Sequence, residues 1–325
     1  MVVTSNSKPK TLTGLLRPFD FYRDLPAVAD LIESCFSLTL DSDGRRYIRK
    51  MRIEAQRSGS RNWSKQPTRS DLFSISGYVW EEDGQVVGNL SLVPFLYKRK
   101  RIYLIANVAV KPEYRRCGIA KSLTDAALEK WHQSRSDAIW LQVRDDNKAA
   151  QDLYLAKGFK IQARRINWVV NPQDLHGKAS EGLRVTFRRI NHWSYHRMWL
   201  DIAYPENLRW HFKNDLEVIS PGFGRLYSRL INESVVLHWS VLRRDEILGI
   251  VSWQRSSRYS DHLWLASRFD YEDEVLSAVI PRFHNDPRFS RPISLNYPDD
   301  RAVEALSNLG FEIKTNLIWM EINKR

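Results

Sequence analysis

Val108-Ala109-Val110-Lys111-Pro112-Glu113-Tyr114-Arg115-Arg116-Cys117-Gly118-Ile119-Ala120 is the stretch on which both fold and chemistry turn. The strand-like run Ile102–Val110 ends in three small apolar residues, and a basic, proline-containing loop, Lys111–Cys117, follows. Leu123, Ala127, Leu128 and Trp131 then recur at helical spacing and predict a helix from about Gly118 to Gln133. The first turn of a helix carries amides without internal acceptors, at the positive end of the dipole. Gly118 lets a ligand approach that backbone with no Cβ in the way, and Arg115 and Arg116 add charge. A strand, a loop and a helix start in this order make a cradle suited to a pyrophosphate.

Downstream, Ala138–Val143 reads as a strand, Arg144-Asp145-Asp146-Asn147 as a helix start and Lys157-Gly158 as its end. A strand, Lys160–Val170, completes the unit. Strand–helix–strand order predicts that Ile102–Val110 and Ala138–Val143 are parallel. Upstream, Leu15–Phe19 looks like a short strand, and Asp24 is placed to cap a helix carrying Val28, Leu31, Ile32, Cys35 and Phe36. Leu72–Trp80 and Val86–Phe95 read as strands joined by the hairpin dipeptide Asp83-Gly84. Lys98-Arg99-Lys100-Arg101 reads as a charged hairpin tip rather than a localisation signal.

The second half repeats the ending of the first. Asp145–Phe159 lines up without a gap on Tyr297–Phe311, with Ala150 on Ala302 and Gly158-Phe159 on Gly310-Phe311. A strand-like run, Glu312–Ile322, follows the second copy, and Ile247-Leu248-Gly249-Ile250-Val251 resembles Val86-Val87-Gly88-Asn89-Leu90. Repetition on this scale indicates two copies of one fold. The boundary falls in the polar, Pro- and Gly-containing segment 172–181, giving domains at 13–171 and 182–325 after a polar lead-in at 1–12.

The chain has 325 residues, 43% hydrophobic and 27% charged, which excludes disorder and suits two globular domains. No apolar run approaches the ~18 residues of a membrane span. The polar N-terminus and two cysteines, Cys35 and Cys117, fit a cytoplasmic protein with reduced thiols. The net charge of +12 is unevenly spread: residues 1–171 carry 29 Lys and Arg against 18 Asp and Glu, and residues 172–325 carry 21 against 20. Part of the excess lies between Asp41 and Arg69, including Arg45, Arg46, Arg49, Lys50 and Arg52, read as a solvated helix face followed by a loop. Such a field favours an anionic partner.

These residues carry a resemblance. Val108–Ala120 resembles the acyl-CoA signature of the GNAT superfamily of N-acetyltransferases, (Q/R)-x-x-G-x-(G/A), and Leu141–Phe159 is similar to that superfamily's second motif. The resemblance spans about residues 13–171, with a degenerate version over 182–325, as in the superfamily's tandem enzymes. It implies an α+β chain of two acyl-CoA N-acyltransferase-like domains, each a mixed twisted sheet flanked by helices. It further implies that Val108, Ala109 and Val110 pair with the pantetheine of acetyl-CoA, and that the amides of Arg116, Cys117, Gly118, Ile119, Ala120 and Lys121 hold its pyrophosphate. Arg115 adds charge to that loop, and Asn147 bonds near the pantetheine or steadies its own loop. Tyr154 stands at the family's tyrosine position, where a neutral phenol protonates the departing thiolate.

The implied reaction is acetyl transfer from acetyl-CoA, as co-substrate, to a primary amine by direct attack, with no metal. A small-molecule or peptide amine is the expected acceptor, and the basic segment favours an acidic or phosphorylated one. One departure stands out: relatives often carry a general-base carboxylate on the strand before the V-A-V triplet, where this chain has Ala106. A non-catalytic acyl-CoA sensor and a basic nucleic-acid-binding protein are the rival readings.

In the second copy Leu306 replaces Tyr154, and Asp270-Tyr271-Glu272-Asp273-Glu274 stands where the basic loop should be, so pyrophosphate should be repelled there. His192 and His196 have helical metal-pair spacing but no evident third ligand. Trp193, Tyr195, Trp199, Tyr204 and Trp210 read as core and domain-interface packing rather than a base-stacking surface.

Overall fold

The computed structural model describes residues 12–59, 76–177, 182–221, 235–284 and 286–324. The expected lead-in up to residue 11, the start of the strand assigned to 72–80 and residues 178–181 of the assigned linker lie outside these. The chain forms two compact units: residues 1–142, 149–160 and 320–325 make the first, and residues 143–148 and 161–319 the second.

The first unit is built on β1 (Leu15–Pro18), β2 (Ser76–Glu82), β3 (Gln85–Tyr97), β4 (Lys100–Val110) and β5 (Ala138–Arg144), adjacent in that order. β1 to β4 are antiparallel neighbours. β5 runs parallel to β4, as strand–helix–strand order requires. Asp83 and Gly84 turn β2 into β3 with φ of 50° and 76°, the pair of left-handed residues that suits a twisted hairpin. Among the described residues its helices are α1 (Phe21–Phe36), α2 (Ser42–Gly59), α3 (Ile119–Gln133) and α4 (Lys148–Ala156).

Asp24 does not cap α1. Asp20 does, accepting from the amides of Tyr22 and Arg23. Asp24 lies one turn inside, buried and paired with both terminal nitrogens of Arg17. The basic segment begins as a helix, α2, whose apolar edge (Ile48, Met51) packs on Leu25, Val28 and Ile32 of α1. Its Arg45, Arg46, Arg49 and Lys50 are exposed.

The second unit comprises β6 (Lys160–Val170), β7 (Arg184–Phe187), β8 (Val236–Arg243), β9 (Glu246–Gln254), β10 (Asp261–Ser267), β11 (Ile293–Pro298) and β12 (Glu312–Asn323). Their order is β12-β6-β11-β10-β9-β8-β7. Its helices are α5 (Trp193–Ala203), α6 (Arg209–Ile219), α7 (Glu272–Val279) and α8 (Val303–Asn308). The sequence repeat has a structural cause. Gly158 and Gly310 both end a helix with left-handed φ, 88° and 92°. The next amide then bonds back in the same way, Phe159 to Tyr154 and Phe311 to Leu306, and both phenylalanines are buried. Gly88 and Gly249 match for another reason: a Cβ on the first would strike Ile119 of α3, and one on the second Val275 of α7. Trp199, Tyr204 and Trp210 are core residues of this unit, as expected from the sequence, but Trp193 is only half-buried and Tyr195 is exposed, on the outer side of α5.

The terminal strands are traded. Most of β6, which follows the first copy in sequence, pairs with β11 in the second unit. The last residues of β12 belong to the first unit, where Lys324 donates its amide to Asp137.

Candidate functional site

Hydrogen-bond phase decides what β4 offers. The Lys111 amide donates to the Val87 carbonyl at 2.9 Å, and Ala109 lies opposite Asn89. Bonded pairs alternate across an antiparallel ladder, so Val108 and Val110 turn their amides and carbonyls to the other edge of β4. On that edge pairing with β5 stops at Ile105–Leu141. An extended chain of amides can therefore add itself alongside Val108–Val110.

A bulge opens this edge. The register shifts between Asn89 and Ser91, and Asn107 takes a left-handed φ of 52°. Asn89, fully buried, donates its side-chain amide to the Asn107 carbonyl at 2.8 Å. Asn107 in turn donates its own amide to the Tyr47 hydroxyl of α2 at 3.2 Å. Burial pushes the Tyr47 phenol up, so its proton stays in place. Sequence reasoning missed these three residues. The available signal was an asparagine inside each of two apolar strand runs, Val86–Leu90 and Leu104–Val110. Asn89→Ala should leave the Asn107 carbonyl without its donor and lower the melting temperature by about 2–6 °C. An unchanged melting curve would show that the bulge does not need this bond.

Beyond Val110 the chain crosses a short 3₁₀ turn, Pro112–Tyr114, and enters α3. Arg115 folds back, its Nε donating to the Val110 carbonyl at 3.1 Å, and the Cys35 thiol donates to the same oxygen at 3.3 Å. Arg116 and Gly118 both have left-handed φ, 62° and 86°. No side chain caps α3. Among the described residues, none accepts from the amides of Gly118, Ile119, Ala120 or Lys121. Arg116, Gly118 and Lys121 are exposed, Cys117 and Ala120 half-buried, and the Ile119 side chain is buried in the core. A Cβ built on Gly118 would meet nothing within 4 Å. Unbonded amides, an unpaired strand edge and an open glycine fit an extended ligand that ends in phosphate.

Tyr154 of α4 is 5% exposed, edge-on to Phe159 at 5.8 Å. Burial pushes its phenol up to about 12, so it is protonated at neutral pH. Among the described residues its hydroxyl has no hydrogen-bond partner. Strand, loop and Tyr154 belong to the first unit, and Asn147 to the segment 143–148 of the second, its amide bonded to the Arg144 carbonyl at 3.1 Å. The missing carboxylate is not supplied by sequence neighbours. Ala106 faces Ser91 across the ladder. Glu81 is tied to Arg17 and Arg23, and the Arg17 guanidinium holds it below the usual carboxylate range. Glu82 accepts from Trp80, Thr13 and Gly14.

In the second unit, His192 is hydrogen-bonded to Ser240 and His196 to Arg188. Among the described residues no group of three or more His, Cys, Asp or Glu could hold a metal ion. No helix among them is long and apolar enough to cross a membrane. Electrostatic repulsion is too simple an account of the acidic stretch: Glu272 is buried and paired with Arg301, and Glu274 is paired with Arg243.

Residues 33–159 match the Acetyltransferase (GNAT) family. An N-alpha-acetyltransferase of Sulfurisphaera tokodaii is 33% identical over 100 residues, 27% of this chain and 58% of that protein, so the chain spans little more than half of its relative's length. Among solved structures, a GCN5-related N-acetyltransferase from Sphaerobacter thermophilus superposes with a TM-score of 0.54 at 15% identity, covering 96% of this chain and 97% of that one. A tandem GNAT protein from the clavulanic acid biosynthesis pathway gives 0.51 at 12% identity, covering 95% and 98%. The fold is thus like that of tandem GNAT proteins, and residues 33–159 are similar to the GNAT acetyltransferase family.

Proposed function

We propose that the chain transfers an acetyl group from acetyl-CoA to a primary amine, using one catalytic copy in residues 13–171, with 182–325 as a degenerate second copy. The observation that carries this reading is the edge of β4 at Val108–Val110, which β5 leaves uncovered and where side chains hold only the Val110 carbonyl, running toward the unbonded amides at the start of α3. Pantetheine adds to that edge as a strand would, and the pyrophosphate rests on the amides of Arg116–Lys121, with Arg115 and Arg116 supplying charge. The amine attacks the thioester carbonyl directly. A backbone amide at Val108–Val110 stabilises the oxyanion of the tetrahedral intermediate, and Tyr154 donates its proton to the thiolate as the C–S bond breaks. Asn147 bonds near the pantetheine or steadies its own loop. With no carboxylate at Ala106, the amine enters already deprotonated or loses its proton to water.

For the acceptor, we favour the α-amine of a peptide, the group named for the Sulfurisphaera tokodaii relative. The exposed Arg45, Arg46, Arg49 and Lys50 of α2 favour acidic or phosphorylated residues near that amine. The decisive experiment is release of free thiol from acetyl-CoA over a panel of peptides, amino acids, polyamines and aminoglycosides, beside calorimetry with acetyl-CoA alone. Binding of one acetyl-CoA per chain with turnover on at least one amine is expected. One site without turnover on any amine would favour the sensor reading. Two comparable sites per chain would overturn the assignment of a degenerate copy.

A further inference from the structure

The β3–β4 turn is made of residues that its own backbone disfavours. Tyr97 pairs with Lys100, so the loop is two residues, Lys98 and Arg99, and both are left-handed, with φ of 46° and 68°. Asn-Gly or Asp-Gly is the usual choice for such a turn, because a Cβ is strained there. The β2–β3 turn of the same unit obeys that rule with Asp83-Gly84. Here two exposed cations hold the strained positions, and Lys100 and Arg101, also exposed, follow them. Strain kept at an exposed tip points to a use for the side chains beyond folding.

The charge of this tip is not spent within the fold. Among the described residues, no carboxylate forms an ion pair with Arg99, Lys100 or Arg101. Asp137, at the same end of the sheet, accepts from the main-chain amide of Arg101 at 2.7 Å. An aromatic and apolar surface adjoins the cations. Strand residues two apart share a face, so Arg101 and Tyr103 lie together, opposite Leu96 and Pro94. Tyr103 is half-buried and Leu96 is 66% exposed. The other face carries Tyr97, with the Lys98 ammonium over its ring at 5.4 Å. Cations beside an accessible ring suit a phosphodiester chain better than an acidic protein segment, since phosphates meet the charge and a base can stack. Stacking of that kind needs unpaired bases, which a single strand offers.

We propose that the β3–β4 tip docks single-stranded nucleic acid, with Lys98, Arg99, Lys100 and Arg101 on phosphates and a base stacked on Tyr103. The site lies at the opposite end of β4 from Val108–Val110, and it stands independently of the acetyl-CoA reading. The turn gives up stability to hold charge.

Fluorescence anisotropy of the full chain with a short labelled oligouridylate, and with the matching oligothymidylate, measures the binding and separates RNA from DNA. Affinity should fall with salt, with log K sloping by about −0.7 against log[salt] for each phosphate contacted. The double substitution Lys98→Asn, Arg99→Gly supplies the favoured turn and removes two cations. It should melt about 2–4 °C higher, yet bind at least ~10-fold more weakly with a slope flatter by about 1.4. Tyr103→Leu removes a ring and no charge, so affinity should drop ~5-fold or more at an unchanged slope. Failure to bind either oligonucleotide at low salt would overturn the proposal, as would undiminished affinity in the turn variant. Polyglutamate that displaces the oligonucleotide as well as unlabelled oligouridylate does would reassign the tip to acidic proteins. If Tyr103→Leu does not fold, the turn variant and the polyglutamate competition give the answer.

Discussion

Tyr154→Phe is expected to lower kcat by roughly 10²–10⁴ while acetyl-CoA affinity changes little. Three properties of this side chain support so large an effect. It is buried, its hydroxyl is unspent on any described residue, and burial holds its proton on up to about 12. The phenol is therefore a donor throughout the range in which an amine nucleophile is partly neutral. Loss of the oxygen matters only as charge builds on sulfur, so the loss should fall on kcat rather than on binding. The ring and its edge contact with Phe159 persist in the variant, and the melting temperature should hold. Single-turnover acetyl transfer with saturating co-substrate is the measurement. Full activity in Tyr154→Phe would hand the role to water or to another donor.

Gly118→Val should weaken acetyl-CoA binding by ~100-fold or more, about 2.7 kcal/mol. Two causes contribute. A φ of 86° strains any β-branched side chain, and the valine would stand in the space before the amides of α3, where the structure leaves nothing within 4 Å of a Cβ. Gly84→Val separates them, because Gly84 shares the left-handed φ, 76°, and the open surroundings but sits at the β2–β3 turn. Both variants should lose a few degrees of melting temperature, and only Gly118→Val should lose the ligand. Calorimetry showing unchanged affinity in Gly118→Val would remove the loop from the site.

Much of this was legible in the sequence because it rests on local pattern. The strand–loop–helix around Gly118, the hairpin at Asp83-Gly84 and the repeat ending in Gly-Phe each depend on residues close together in the chain. What depends on register was not legible. The bulge at Asn107 exists because Asn89, eighteen positions earlier, holds its carbonyl from the neighbouring strand. Tyr204 reads as a core aromatic and is one, but that its hydroxyl donates to the Asn296 carbonyl, ninety-two positions on, follows from tertiary packing. A period-two pattern also says that a strand exists without saying beside which strand it lies, and β6 and β12 are equally good edges for either sheet. At α1, Asp20 and Asp24 are both plausible caps, and the choice falls to Asp20 because Arg17 claims the other.

The traded strands bear on how such a chain can change over generations. A gene fusion of two self-sufficient copies could later lose one, or pass either to another protein. Here each compact unit includes chain from beyond the linker: β6 lies largely in the second unit, and residues 320–325 return to the first. A break at the linker would leave both sheets short of a strand, one by its last residues and the other by nearly all of β6. On the proposed reading, the second copy is thus retained by topology, free to drift in chemistry but not to be discarded.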